Sequence, residues 1–135
     1  MRRLVLLLFA LAVGGCAAVD GPSPETVQAA RLYPANYKAE LIAYLRNFLN
    51  DPTNVRNAYV SEPVLTKIQG EERYVNCVRF NARSGSGYRG NRDHMARYFG
   101  GKLEYFLELR PEASDDRCRN ANYQPFPELE QISRR

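Results

Sequence analysis

The amino-acid sequence predicts a small α+β domain in which one amphipathic helix packs on a four-stranded antiparallel β-meander. A helical repeat of apolar residues occupies residues 34–50, and period-two alternation follows in residues 58–109. Gly100-Gly101 marks a tight hairpin turn within that second region. The chain has 135 residues, of which 44% are apolar and 25% are charged, so one globular domain is expected.

The helix is predicted from a single apolar stripe. Its members fall at i, i+4, i+7, i+8 and i+11, and they are Tyr37, Leu41, Tyr44, Leu45 and Phe48. Pro34 lies near the start, where a missing backbone N–H costs little. Pro52 disfavours helical geometry at Asp51, so the helix should end there, and Asp51 is expected to cap a further short turn.

Four strands are predicted from period-two patterns. The first covers residues 58–68 and is interrupted by Pro63, which indicates an edge strand or a bulge. The second covers residues 73–83, and the third and fourth cover residues 94–99 and 102–109. On the second strand, one face carries Tyr74, Val78 and Phe80, and the other carries Arg73, Val75, Cys77, Arg79 and Arg83.

Two stretches are expected to lack regular structure. Residues 111–135 are polar and irregular, and residues 84–92 form a glycine-rich loop. Within that loop, residues 85–90 match G-x-G-x-x-G literally. A dinucleotide fingerprint also needs a following helix, and the next stretch here is a strand. A mobile hairpin loop is therefore favoured.

The first sixteen residues have the pattern of an export leader. Two arginines precede an apolar run over residues 4–13 that is too short to span a bilayer, and Val13-Gly14-Gly15-Cys16 follows. This arrangement resembles the bacterial lipobox. The resemblance implies that the Cys16 sulfur receives a diacylglyceryl group, that a peptidase cuts before Cys16, and that the new amine is acylated, with palmitate expected. The alternatives are an ordinary signal cut after Ala18 and a buried N-terminal helix.

The lipobox divides the chain into four predicted parts. Residues 1–15 are the signal peptide, and residues 16–32 are a flexible tether with a short helical stretch around residues 25–32. Residues 33–127 form the single domain, and residues 128–135 form a polar tail. Removal of the leader lowers the formal net charge from +4 to +2, so a nucleic-acid partner is not expected.

The overall pattern looks like that of small lipoproteins of the Gram-negative envelope. The likeness extends across the helix and the strand at residues 73–83, and it implies a location rather than a mechanism. Ala17, and not aspartate, follows Cys16. By the sorting rule of enteric bacteria, this resembles a cargo of the outer membrane that faces the periplasm.

The three cysteines predict a disulfide bond. If lipid occupies Cys16, Cys77 and Cys118 remain, and thiols outside the cytoplasm usually pair. The bridge is expected to hold the C-terminal segment, with Tyr123 and Phe126, over the sheet face that the helix leaves uncovered. The alternative is two free thiols. No metal or cofactor is expected, because His94 is the one histidine and the ligand spacing of zinc sites is missing.

Positive charge is concentrated in the strand region. Residues 73–102 contain seven basic residues and one acidic residue. Arg73, Arg79 and Arg83 share a strand face in the prediction, and their guanidinium groups match carboxylates or phosphates. Peptidoglycan, lipopolysaccharide or an acidic protein would be suitable partners. The alternative is a solvated face that is balanced by neighbouring carboxylates, namely Glu71, Glu72, Glu104 and Glu108.

No catalytic constellation is predicted. Asp93-His94 lacks a positioned nucleophile, and the acidic residues Glu112, Asp115 and Asp116 lack the spacing of a calcium loop. We therefore expect a lipid-anchored, periplasm-facing envelope lipoprotein with a non-enzymatic binding or structural role. The alternative is a periplasmic inhibitor or ligand-binding module that recognises an anionic partner through the arginine face.

Overall fold

A computed structural model describes residues 21–112 and 117–132 of the chain. Ten regular elements follow one another within them. They are α1 (Pro24–Ala30), α2 (Tyr37–Phe48), β1 (Asp51–Val60), β2 (Val64–Ile68), β3 (Glu71–Ser84), β4 (Gly87–Tyr88), β5 (Arg92–Phe99), β6 (Lys102–Glu108), β7 (Gln124–Pro125) and α3 (Pro127–Glu130).

The seven strands form one antiparallel sheet around β3, which is the longest of them. One edge of β3 pairs with β5, which in turn pairs with β6. The opposite edge pairs with β2 and with β1, which also pairs with β7. The strand pairs β2–β3 and β5–β6 are hairpins, and each turn has two consecutive residues at positive φ. In the β5–β6 turn these residues are Gly100 (58°) and Gly101 (74°). The predicted turn at Gly100-Gly101 is confirmed.

The interruption before β2 falls at the predicted proline. The Ser61 N–H donates to the Cys77 carbonyl at 2.9 Å, and the Ser61 hydroxyl accepts from the Cys77 N–H at 2.9 Å. The side-chain hydroxyl thus replaces a backbone acceptor. Asn76 Nδ2 donates to the Ser61 carbonyl, and Tyr98 donates to Asn76 Oδ1. The polar groups at the break therefore have partners, which allows the break to be buried.

The sheet has two covered faces. The face that carries Val78 and Phe80, which we name the helix face, packs against Leu41 and Leu45 of α2 in the main core. The opposite face, which we name the cystine face, carries a smaller cluster. Its buried members are Val75, Cys77, Met95 and Cys118. The Cys77–Cys118 disulfide, with a Cα–Cα distance of 5.4 Å, holds the C-terminal segment over the cystine face. The predicted bridge is confirmed, and Tyr123 packs over this face as predicted, whereas Phe126 does not.

The α+β class and the large antiparallel sheet are confirmed, but the detail of one helix and four strands is wrong. The described residues contain three helices and seven strands. The Asp51 Oδ1 accepts from the Thr53 N–H at 3.1 Å, as a cap should, but the residue begins the first strand. Irregular pairing between Asp51 and Tyr59 lets these polar residues join the sheet. The two-residue strands β4 and β7 are too short to produce a periodic pattern.

The folded core extends beyond the predicted domain boundaries. Phe126, Leu129 and Ile132 are buried on the helix face, although Phe126 was expected over the cystine face and residues 128–135 were expected to be a polar tail. At the other end, α1 lies within the predicted tether, and the Gly100 N–H donates to the Ala29 carbonyl at 3.0 Å.

Several sequence predictions lie outside the described residues. These are the signal peptide, the lipidation of Cys16 and the sorting role of Ala17, together with the acidic turn at Asp115 and Asp116. They stay predictions.

Candidate functional site

Arg79 on the cystine face is bound by a carboxylate of the neighbouring strand. Its Nε and Nη2 donate to the two oxygens of Asp93 at 2.6 and 2.9 Å. These hydrogen bonds raise the pKa of Arg79 above its usual value. The guanidinium carbon also lies 4.3 Å from the centre of the Tyr123 ring. The charge of Arg79 is therefore compensated within the fold.

Arg73 is compensated in the same way. Its guanidinium lies 3.0 Å from the Glu71 carboxylate and 3.3 Å from that of Glu104, and its carbon stacks 4.6 Å from the centre of the Phe99 ring. Glu104 also lies 3.0 Å from Arg97 Nε. Two of the predicted balancing carboxylates thus contact arginines of this face.

The other two balancing carboxylates lie elsewhere. Glu72 accepts from Arg31 Nε at 2.8 Å, near the end of α1. Glu108 lies on the helix face, where its oxygen is 3.9 Å from His94 Nε2. Lys102 at the start of β6 pairs with Glu40 of α2 at 2.8 Å.

Arg83, Arg89 and Arg92 are different, because none of them forms an ion pair with another described residue. All three line one cleft of about 220 Å³ at the C-terminal end of α2, and we name it the arginine cleft. Arg92 comes from β5 and Arg83 from β3, whereas Arg89 follows β4. The sheet therefore brings together three arginines that form no ion pair within the described residues, beside one carboxylate, that of Glu108.

The loop that supplies Arg89 has a defined structure. Two backbone pairs join it to β3, Arg83 with Tyr88 and Ser84 with Gly87. The Gly90 N–H donates to Asn81 Oδ1 at 3.0 Å, with Gly90 at a φ of 86° that favours glycine. The Arg56 guanidinium stacks 4.0 Å from the centre of the Tyr88 ring. These contacts hold Arg89 beside the end of β3.

Arg92 has one buried donor without an acceptor. Its Nε is shielded from solvent and has no hydrogen-bond acceptor among the residues that the structure describes. Two other buried polar atoms share that property, and each lies beside a compensated pair, Arg97 Nε near Glu104 and the Tyr123 hydroxyl near Arg79. A buried donor without an acceptor is costly, and because Arg92 Nε is closed to solvent it is also closed to a ligand in the open cleft.

The floor of the cleft is aromatic. The His94 ring is stacked between Phe80, at 4.4 Å between ring centres, and Phe106, at 5.0 Å. His94 is 3% exposed, and this burial lowers the pKa of its imidazole below the usual value. His94 is therefore neutral at pH 7 and adds no charge to the cleft, and Phe80 and Phe106 cover both faces of its ring.

The mouth of the cleft carries exposed aromatic surface. Phe48, the last residue of α2, lines the cleft and is 50% exposed. Its ring stacks on that of Tyr44 at 5.3 Å and contacts the edge of Phe106. Exposed rings beside a charged cleft offer apolar contact to any ligand whose charged end lies inside.

The structure separates the three arginines that the sequence grouped. Arg73 and Arg79 lie on the cystine face with their carboxylates, whereas Arg83 lines the arginine cleft. Arg89 and Arg92 were not predicted as site residues from the sequence. The charge pattern of the sequence contained evidence for them. Both lie in residues 73–102, where Asp93 is the one acidic residue, and Asp93 forms its ion pair with Arg79.

No protein-family model, curated protein or solved structure matches this chain. Across residues 21–112 and 117–132, no cluster of three His, Cys, Asp or Glu side chains is placed to hold a metal ion. No helix in that part of the chain has the length and apolarity to cross a membrane.

Proposed function

We propose that this protein is a lipid-anchored lipoprotein of the bacterial envelope, attached through Cys16 to the outer membrane and facing the periplasm, with a non-enzymatic binding role. The leader supports the location through its lipobox-like Val13-Gly14-Gly15-Cys16 and the following Ala17. The Cys77–Cys118 disulfide is in keeping with an oxidising compartment.

The binding role rests on one observation. Three arginines without ion-pair partners in the described chain line the arginine cleft, while Arg73 and Arg79 are neutralised by carboxylates. We propose that the cleft binds an anionic envelope component, for which peptidoglycan, lipopolysaccharide and an acidic protein are the candidates. We propose no reaction for the cleft, in keeping with a histidine that is enclosed between Phe80 and Phe106.

Metabolic labelling tests the anchor. In a Gram-negative host, the protein should incorporate labelled palmitate and fractionate with the outer membrane. The Cys16→Ser variant should lose the label and either keep its leader or appear in the soluble periplasm. Label retained by Cys16→Ser would refute lipidation, and a mature protein found mainly in the inner membrane would refute the proposed sorting.

Binding to purified peptidoglycan sacculi and to lipopolysaccharide tests the cleft. We compare the variant Arg83→Gln/Arg89→Gln/Arg92→Gln with a control that removes three exposed arginines elsewhere, Arg46→Gln/Arg110→Gln/Arg119→Gln. Both lower the net charge by the same amount. Binding that is lost in the cleft variant, kept in the control and weakened by salt supports the proposal. Equal losses in both variants would show that only bulk charge matters.

A further inference from the structure

We propose that the arginine cleft is a phosphate site, which takes the terminal phosphomonoester group of a ligand whose remaining part lies over Phe48 at the mouth. The inference rests on the proposed function and narrows it to one chemical class. A lipid headgroup and a soluble molecule are the two sources of such a phosphate, since both present the same terminal group.

Charge favours a phosphomonoester over a carboxylate. The cleft is lined by three arginines and one glutamate, Glu108, so its formal charge is two positive units. His94 adds none at neutral pH, because burial lowers its pKa. A phosphomonoester carries about −1.5 to −2 at pH 7 and neutralises the cleft, whereas a carboxylate leaves about half of the charge uncompensated.

The cleft has room for a phosphate and an aromatic residue beside it. Its volume is about 220 Å³ and it is open to solvent, so a tetrahedral phosphate with its four oxygens fits. The rest of the ligand extends out of the cleft past Phe48, which lines the cleft and whose ring is half exposed.

The position of the arginines on different elements favours an acceptor with several oxygens. Arg83, Arg89 and Arg92 all line the cleft, and none of them forms an ion pair with a carboxylate of the described residues. The three arginines approach from β3, from β5 and from the residue after β4. A phosphate presents oxygens in several directions, so it can accept from donors on different sides, whereas a planar carboxylate suits one or two guanidinium groups.

NMR titration of the mature, lipidated protein in non-ionic detergent tests the inference. Inorganic phosphate and acetate are added separately at equal ionic strength and pH 7.5. We expect phosphate to shift the amide signals of Gly90 and Arg92 with a dissociation constant at least tenfold lower than that of acetate. Binding should weaken as the pH falls from 7.5 to 6, because inorganic phosphate loses its second negative charge over that range.

A matched pair of variants locates the site. Arg92→Gln should weaken phosphate binding about tenfold to a hundredfold, the range for one lost charge-assisted hydrogen bond. Arg119→Gln removes the same charge from an exposed position and should leave the affinity unchanged. Thermal denaturation checks that both variants are folded. If Arg92→Gln is unfolded, Arg89→Gln is measured in its place.

The possible results separate this inference from the proposed function. If phosphate and acetate bind equally well, or if Arg92→Gln and Arg119→Gln behave alike, the phosphate site is refuted, while the sacculus and lipopolysaccharide tests still decide the general role. If phosphate binds as expected, glycerol 3-phosphate and vesicles with phosphatidic acid identify the source. Tighter binding to vesicles with phosphatidic acid than to vesicles with phosphatidylglycerol, which is a phosphodiester, indicates a lipid headgroup. Tighter binding to glycerol 3-phosphate than to either vesicle indicates a soluble ligand.

Discussion

The two faces of the sheet are stabilised in different ways. The helix face buries thirteen core residues beneath three helices, so apolar burial is its main source of stability. The cystine face has four buried residues in its cluster, two of which are the cysteines. It is covered by a segment with little regular structure, which the disulfide and the stacking of Arg79 on Tyr123 hold in place.

The difference shows how a small domain can cover a second sheet face without a second helical layer. Residues 117–123 contain no helix or strand, so few backbone hydrogen bonds hold them. A covalent bond reduces the entropy of the unfolded chain and needs little apolar area. The arginines over Tyr123 and Phe99 add contact area through their planar groups.

Removal of the disulfide should have the largest effect. The bridge spans 41 residues of sequence, and the chain-entropy model assigns about 4 kcal/mol to a loop of that size. The variant Cys77→Ala/Cys118→Ala should lose most of this in urea denaturation. Hydrogen exchange should accelerate at Tyr123 much more than at Leu45 of α2. An unchanged urea midpoint would show that the cystine face does not depend on the bridge.

Two valines of β3 compare the faces directly. Val78 is 0% exposed on the helix face, and Val75 is 5% exposed on the cystine face. We expect Val78→Ala to cost about 2 kcal/mol of unfolding free energy and Val75→Ala about 1 kcal/mol, because the looser cover can relax around the smaller side chain. Thermal denaturation of both variants measures the difference, and equal costs would mean that both faces are packed alike.

Loss of Asp93 tests the polar contribution to the cystine face. Asp93→Asn leaves the partly buried Arg79 guanidinium without its two charged hydrogen bonds, which should cost about 1–2 kcal/mol. Glu72→Gln, which breaks the exposed pair with Arg31, is the control and should leave the denaturation midpoint unchanged. A similar response in both variants would contradict a specific role for Asp93.

The smallest expected effect is a pH dependence that belongs to the helix face. Burial lowers the pKa of His94 in the folded state, so the unfolded state binds the proton more readily. Stability should be constant above pH 7 and should fall as the pH drops below about 6.5, by at most about 1.4 kcal/mol per pH unit.

His94→Phe, which keeps a ring between Phe80 and Phe106, should flatten the stability curve between pH 7.5 and 5.5. Denaturation at several pH values gives the comparison. A slope that persists in His94→Phe would assign the dependence to another group.

Local periodicity explains which parts of the fold were predictable. The stripe with Leu41 and Leu45 and the alternation on β3 both follow from the repeat of one element, so the helix and the strand faces were correct. The start of β1 was missed because Asp51, Pro52 and Asn57 favour turns, and Asn57 does adopt a positive φ of 53°. The sheet accommodates these residues through shifts of register.

The candidate site was less predictable because ion pairs depend on register. Arg79 meets Asp93 only because those residues are directly paired between β3 and β5. Arg73 reaches Glu104, thirty-one residues away, on β6, whose pairing with β5 shifts between Arg97 and Tyr98. A charge count along the chain contains none of this information.

The sequence by itself determined the α+β class, the face on which Cys77 lies and its pairing with Cys118, because side-chain alternation and cysteine parity are properties of the chain alone. Only the tertiary structure decided which arginines are neutralised and which line the cleft. That outcome depends on distances between strands that are remote in sequence, and a hydrogen-bonded ion pair needs its nitrogen and oxygen atoms within about 3 Å.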